Sequence, residues 1–161
     1  MRSRRRTEDV EDELGFDYDP SVFTRGLDVL VPATVARWAL EVTVRTDRSE
    51  YDRDEPVPFE VEIHNRLPLP VTLTIHGQRI WGWCVDGHLE GSDEPIYRPE
   101  GKRPLELRAG EQRTFRPTWD GRIQEHGERR RWRAVSPGDH ELSAFVATDP
   151  PVTDSTTISI R

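Results

Sequence analysis

The 161-residue sequence holds one cysteine, one lysine and no long uninterrupted apolar run. With Cys84 alone, no disulfide can close within the chain, which suits a reducing compartment. The most apolar stretch, Leu27 to Val44, carries Asp28, Arg37 and Glu41 and is broken by Pro32, so no membrane insertion is expected. Met1 to Arg6 is basic, but acids from Glu8 to Glu13 stand where a signal peptide would turn apolar, and the expected location is the cytoplasm. Lys102 is the one lysine among 23 basic residues. That arginine bias, with a net charge of −7, fits a GC-rich genome or a salt-loving archaeon. The negative balance also argues against a nucleic-acid partner, because phosphate binding needs a basic face.

Signatures of chemistry are missing as well. His64, His76, His88, His126 and His140 are scattered without metal-ligand spacing, and Cys84 has no second thiol. There is no glycine-rich phosphate loop and no nucleophile elbow. Asp86, His88, Glu90 and Asp93 could ligate a cation in principle, but acid-rich loops are ordinary in so acidic a chain. The expectation is no catalytic residue, no cofactor and no metal.

What the chain does hold is period-two alternation. Thirteen prolines and eleven glycines cut it into short pieces, and an apolar content of 34% suits strands with one wet face. Trp38, Leu40, Val42 and Val44 alternate with polar neighbours, as do Val57, Phe59, Val61 and Ile63, and then Val71, Leu73 and Ile75. A strand with Ile80, Trp81, Trp83 and Val85 is expected next, followed by a long loop from Asp86 to Arg103 around Ile96 and Tyr97. Leu105 and Leu107 lead into the turn at Gly110, and Thr114 to Trp119 resumes as a strand. Asp120 to Arg131 reads as a polar insert. Ser136-Pro-Gly-Asp139 is a turn, and strands through Leu142, Ala144 and Val146 and through Ile158 and Ile160 complete the chain. The expected fold is all-β, an immunoglobulin-like antiparallel β-sandwich of about seven to nine strands with a charged N-terminal extension.

Three regions follow. Residues 1–15 form a charged tail, Arg-rich and then acidic, too poor in apolar side chains to fold alone. Residues 16–37 form an apolar lead-in with Phe16, Tyr18, Phe23, Leu27, Val29 and Val31, expected to pack on the domain. Residues 38–161 form the sandwich, with Trp38 at the head of its first strand.

From Trp38 onward the order of landmarks resembles the intracellular proteinase inhibitor family of BsuPI type, in its uncharacterised archaeal-like form. The landmarks are Phe59 to Asn65, a strand ending in Asn; Gly77-Gln78; Trp81-Gly-Trp83; Leu107-Arg-Ala-Gly-Glu111 with Phe115 and Trp119; and Pro137-Gly-Asp-His-Glu-Leu142. The chain departs from the family pattern where Gly77-Gln78 runs almost directly into Trp81, and where His140 replaces the tyrosine of the last hairpin. The resemblance implies a non-catalytic domain whose partner is a protein, a protease being the family's example.

Two groups of residues are candidates for the interaction surface. Arg129, Arg130, Arg131, Trp132 and Arg133 combine the residue types that interface centres use, against the plainer reading of a solvated, arginine-flanked strand start. Trp81 and Trp83 share one face of a strand, either as core anchors or as an exposed aromatic platform for carbohydrate or another small ligand. Trp38 and Trp119 are expected in the core. Partner identity, strand order and oligomeric state are not written in the sequence.

Overall fold

The computed structural model describes residues 31–91, 101–125 and 131–161. In chain order these form α1 (Ala33–Ala39), β1 (Leu40–Thr46), β2 (Glu50–Tyr51), β3 (Val57–Asn65), β4 (Val71–His76), β5 (Trp81–Val85), β6 (His88–Gly91) and β7 (Lys102–Leu107). They continue with β8 (Gln112–Phe115), β9 (Thr118–Trp119), β10 (Arg122–Glu125), β11 (Arg131–Ala134), β12 (Gly138–Val146) and β13 (Val152–Ile160).

Two sheets make the sandwich. One has the order β1-β3-β8, with β9 also paired to β3; the other has the order β2-β13-β12-β5-β6. The four-stranded and five-stranded sheets are joined by two ribbons, β4-β7 and β10-β11. Only the short β2 runs parallel to its neighbour, β13; the other described pairs are antiparallel. The sequence β5-β12-β13 within one sheet is the C-F-G order of an immunoglobulin-like fold, widened here by β6 and β2.

Alternation explains the strands. β1, β3, β4 and β12 each bury every second side chain, so one face of each enters a shared core. Aromatic rings bridge the two sheets: Phe59 of β3 meets Trp83 of β5 edge-on at 5.1 Å, and Phe115 of β8 stacks on Trp81 of β5 at 4.3 Å. Phe145 sits on the opposite face of β12 from Leu142, Ala144 and Val146, as its position in the alternation implies.

Several elements differ from the sequence reading. Among the described residues the first element begins at Ala33 and not at Trp38, because residues 33–39 coil as a helix behind Pro32. Proline at this boundary has no N–H to lose and leaves Pro32 O to accept from Ala36 N at 2.9 Å. The helix buries its small residues Ala36 and Ala39, and Trp38 lies on the other face. The expected long loop after Val85 is a hairpin: Asp86 (φ 49°) and Gly87 (φ 77°) form a two-residue turn into β6. Asp-Gly suits the positive φ that such a turn demands at both central positions. Pro117 splits the strand expected over Thr114–Trp119 into β8 and β9. The expected polar insert after Asp120 contributes β10, which pairs with β11 and is anchored by buried Ile123. Of the apolar lead-in, Val31 packs partly on the core; Phe16, Tyr18, Phe23, Leu27 and Val29 lie outside the described residues, as do Ile96, Tyr97 and the charged tail.

Candidate interaction surfaces

The five tryptophans divide between the interior and the surface. Trp81, Trp83 and Trp119 are buried, the last with its Nε1 donating to Arg122 O at 2.8 Å. Trp81 and Trp83 are therefore core anchors, as one of the two sequence readings had it. Both rings are packed between the sheets, against Phe115 and Phe59, and so present no exposed aromatic platform. Trp132 is 56% exposed and Trp38 is 68% exposed. Trp38 is the misplaced member: the sequence reading put it in the core, and the helix turns it outward.

The strand registers place these two rings at opposite ends of the sandwich. Leu40 pairs with Asn65, and Val146 pairs with both Trp81 and Val152, so α1 and the turns at residues 66–70, 77–80 and 147–151 gather at one end. Hydrogen bonds confirm the cluster: Arg37 NH1 to Pro150 O at 3.4 Å, Arg66 N to Ala39 O at 2.9 Å, Ala147 N to Ile80 O at 2.9 Å. Thr46 pairs with Phe59, Val57 with Trp119 and Gly138 with Ile160, which gathers β2, β9 and the β10-β11 ribbon at the other.

At the ribbon end, Trp132 and Arg133 stand exposed on β11. Ile123 and Val135 pin the ribbon to the core, and Val135 N donates to Gly121 O at 3.0 Å. Arg131 opens β11 opposite Glu125 in the register, while Arg129 and Arg130 lie outside the described residues. Trp132 and Arg133 are thus both exposed as neighbours along β11, whereas Trp81 and Trp83 are buried.

Beneath the ribbon lies a histidine pin. His140 Nδ1 meets Asp86 Oδ2 at 2.6 Å, and its Nε2 meets Ser136 O at 2.8 Å. Both partners are acceptors, so only the doubly protonated imidazolium satisfies both ring nitrogens. Burial opposes that charge, but the Asp86 carboxylate and the Ser136 carbonyl outweigh it and raise the pKa above the ordinary histidine value. Asp86 Oδ1 accepts from Glu141 N at 2.9 Å, so the carboxylate is fully engaged in structure.

A polar groove of about 590 Å³ opens at this same end between Asp47, Glu50, Tyr51, Glu55 and Arg161. Its charges are paired internally: Arg48 with Glu55, Arg161 with Glu50, and Asp47 with the Tyr51 hydroxyl. The Tyr51 hydroxyl holds Asp47 below the usual carboxylate range, and Arg48 does the same for Glu55. Burial and the Asp47 carboxylate push Tyr51 up. Such a network fixes the β1-β2 connection and leaves little unsatisfied for a ligand.

The α1 end is chemically different. Arg66 lays its guanidinium 5.1 Å from the Trp38 ring centroid, and its NH2 donates to Trp38 O at 2.9 Å. Val35, one helical turn before Trp38, and Leu69, in the same turn as Arg66, are also exposed. Among the described residues Arg37, Arg66, Arg79 and Arg108 stand here with Glu41, Glu106, Glu111 and Asp149; Glu41 meets His64 Nδ1 at 3.6 Å, and Glu111 is taken up by Arg108 N at 2.6 Å and Arg113 Nε at 2.8 Å. The ribbon end carries Asp47, Glu50, Asp52, Asp54, Glu55 and Asp86 together with Arg48, Arg53, Arg133 and Arg161, several of them paired with one another. The sequence did contain a signal for this surface: Pro32 followed by Ala-Thr-Val-Ala-Arg-Trp-Ala is a helix start, masked by Trp38 falling in phase with Leu40 and Val42.

Among the described residues no three His, Cys, Asp or Glu side chains gather as a metal site. Of the loop considered for a cation, Asp86 is committed to His140, and Asp93 lies outside the described residues. Burial raises the Cys84 thiol pKa, with Glu90 adding to it. No described helix is long and apolar enough to cross a membrane.

No curated protein matches the chain in sequence. In shape it is similar to the CARDB domain of the PF1109 protein from Pyrococcus furiosus, solved in complex with di-metal ions. The identity is 13% over 75% of this chain and 91% of that one, with a TM-score of 0.47. A solution NMR structure of the same domain gives 12% identity over 76% and 94%, with a TM-score of 0.48. A β-glucosidase from Listeria innocua gives 15% identity over 75% of this chain but 16% of its own, with a TM-score of 0.41. The model of the family of unknown function DUF7974 matches residues 28–161, and the chain belongs to that family.

Proposed function

We propose that this domain is a non-catalytic protein-interaction module that meets its partner through exposed tryptophan and arginine side chains. One observation carries the reading: three tryptophans fill the core, while Trp38 and Trp132 stand in solvent, each beside an arginine. Leaving a large ring in water has no folding benefit, whereas Trp and Arg together dominate the energetics of protein interfaces. The resemblance to intracellular proteinase inhibitors supports a protein as the partner and makes proteases the first class to test. The lone, half-buried Cys84 fits a reducing, cytoplasmic setting.

The test is capture of binding proteins on the immobilised full chain, run in parallel with Trp38→Ala and Trp132→Ala variants, followed by titration of any captured protease. A partner retained by the full chain and lost with one of the variants supports the reading. Retention that ignores both rings, or turnover of the captured protein by the domain, contradicts it. Loss of protease activity at one equivalent of domain would extend the reading to inhibition; no loss across a broad protease panel would remove that extension and leave binding intact.

A further inference from the structure

The α1 end has the composition of a receptor. Among the described residues five large apolar side chains are exposed, and three of them, Val35, Trp38 and Leu69, lie here. Val35 and Trp38 are three apart on α1 and share a face. Leu69 projects from the turn that also carries Arg66.

This platform is held in place before any partner arrives. Asn65, fully buried at the end of β3, donates through Nδ2 to Leu69 O and to Arg108 O, both at 2.8 Å, and accepts from Leu67 N at 3.1 Å. Arg66 is fixed at both ends, by its N–H to Ala39 O and its guanidinium to Trp38 O. Preorganised side chains lose little freedom on binding.

Arg66 makes no ion pair with a carboxylate among the described residues; its described contacts are to a carbonyl and a π face. A guanidinium has five N–H donors, so several remain to be filled, and a carboxylate fills two at once. Arg37 adds a second positive charge on α1, with its NH1 donating to Pro150 O at 3.4 Å. Among the described residues Arg66 therefore sets a guanidinium without a carboxylate partner beside an exposed aromatic ring, which suits an acidic ligand.

We propose that the surface formed by Trp38, Arg66, Leu69 and Val35 binds an acidic peptide segment of a partner protein, with a carboxylate on Arg66 and an apolar side chain against Trp38 and Leu69. The assignment rests on the interaction reading above and names its site and the chemistry of its partner. A peptide is favoured over a nucleic acid because exposed apolar side chains, Val35, Trp38 and Leu69, make up as large a part of this surface as its arginines.

The test is selection of random dodecapeptides on the full chain and on folded Trp38→Ala, Arg66→Ala and Trp132→Ala variants, with affinities of recovered peptides measured by anisotropy. The expected pool is enriched in Asp and Glu together with aromatic residues or leucine. Its members should bind Trp38→Ala and Arg66→Ala at least about tenfold more weakly and Trp132→Ala unchanged. Arg66→Lys, which keeps the charge and loses the bidentate fork, should lie between. A pool without acidic bias, a pool indifferent to Trp38 and Arg66, or single-stranded oligonucleotide binding at this surface in place of peptide would overturn the proposal. Peptides that depend on Trp132 alone would overturn this assignment while sustaining the interaction reading; peptides that depend on neither ring would contradict both.

Discussion

Asn65 donates its side-chain amide to the carbonyl of Arg108 at 2.8 Å, tying the end of β3 to the turn before β8. The same amide reaches Leu69 O, so one buried residue closes two turns at the α1 end. Asn65→Ala should destabilise the domain by roughly 1–3 kcal/mol in urea unfolding, since two part-buried hydrogen bonds from a buried side chain are lost. Asn65→Asp should cost at least as much, because a carboxylate there would face those carbonyls with acceptors only. An asparagine that mattered only as a surface turn residue would give a loss below about 0.5 kcal/mol.

A second long-range contact seals the seam between the sheets. Val44 N of β1 donates to Asp154 Oδ2 of β13 at 2.8 Å, occupying an outward N–H on an edge strand. Asp154→Ala should lower stability by about 1–3 kcal/mol and Asp154→Asn by less, as the amide keeps an acceptor. Hydrogen exchange at Val44 should accelerate in the alanine variant. Unchanged protection there would show that Asp154 is not the acceptor in solution.

The histidine pin makes stability depend on pH in a defined direction. The folded-state pKa of His140 is raised by Asp86 and Ser136, so the native state binds the proton more tightly than the unfolded chain. The pin's contribution is fully present below the ordinary histidine value of about 6.5 and fades as pH rises through the elevated folded value. His140→Gln should flatten the decline in melting temperature between those two values. A decline identical in wild type and variant would assign the pH dependence to other groups.

Fluorescence should report the division of the tryptophans. Acrylamide should quench two populations, and the double variant Trp38→Phe, Trp132→Phe should lose most of the accessible one. Trp81→Ala, which deletes a buried ring stacked on Phe115, should cost roughly 3–5 kcal/mol, whereas Trp38→Ala should cost under about 1 kcal/mol. Comparable losses at both positions would contradict the placement of Trp38 outside the core.

Cys84 should be a slow nucleophile. Its thiol pKa is pushed up by burial and by Glu90, so little thiolate forms at neutral pH. Alkylation by iodoacetamide at pH 7.5 should be slow in the native protein and fast in urea, and equal rates would contradict that environment.

The sequence made much of this fold legible where burial has a period of two. β1, β3, β4 and β12 follow the alternation of Val42 and Val44, of Phe59, Val61 and Ile63, of Leu73, and of Leu142 and Ala144. What was hidden depended on competing local signals. Trp38 is in phase with β1, and only its position on a helix that begins behind Pro32 turns it into solvent. The Asp86-Gly87 hairpin was present as a dipeptide but obscured by the acid-rich stretch after it. β10 and β11 carry few apolar residues, and their pairing is set by tertiary anchoring at Ile123 and Val135. Of the candidate surface, Trp132 and Arg133 are legible as chain neighbours, and both are exposed. The Trp38–Arg66 pair is not legible, since it joins residues from two elements through a turn that Asn65 holds from within.

Intact mass spectrometry of the full chain mixed with its captured partner, followed over time and compared with the Trp38→Ala and Trp132→Ala variants, addresses the central claim most directly. The account predicts a stoichiometric complex whose partner keeps its mass and whose yield falls by at least about tenfold in one of the variants. A partner that is cleaved or modified by substoichiometric domain, or a complex that forms equally well without either tryptophan, would contradict it.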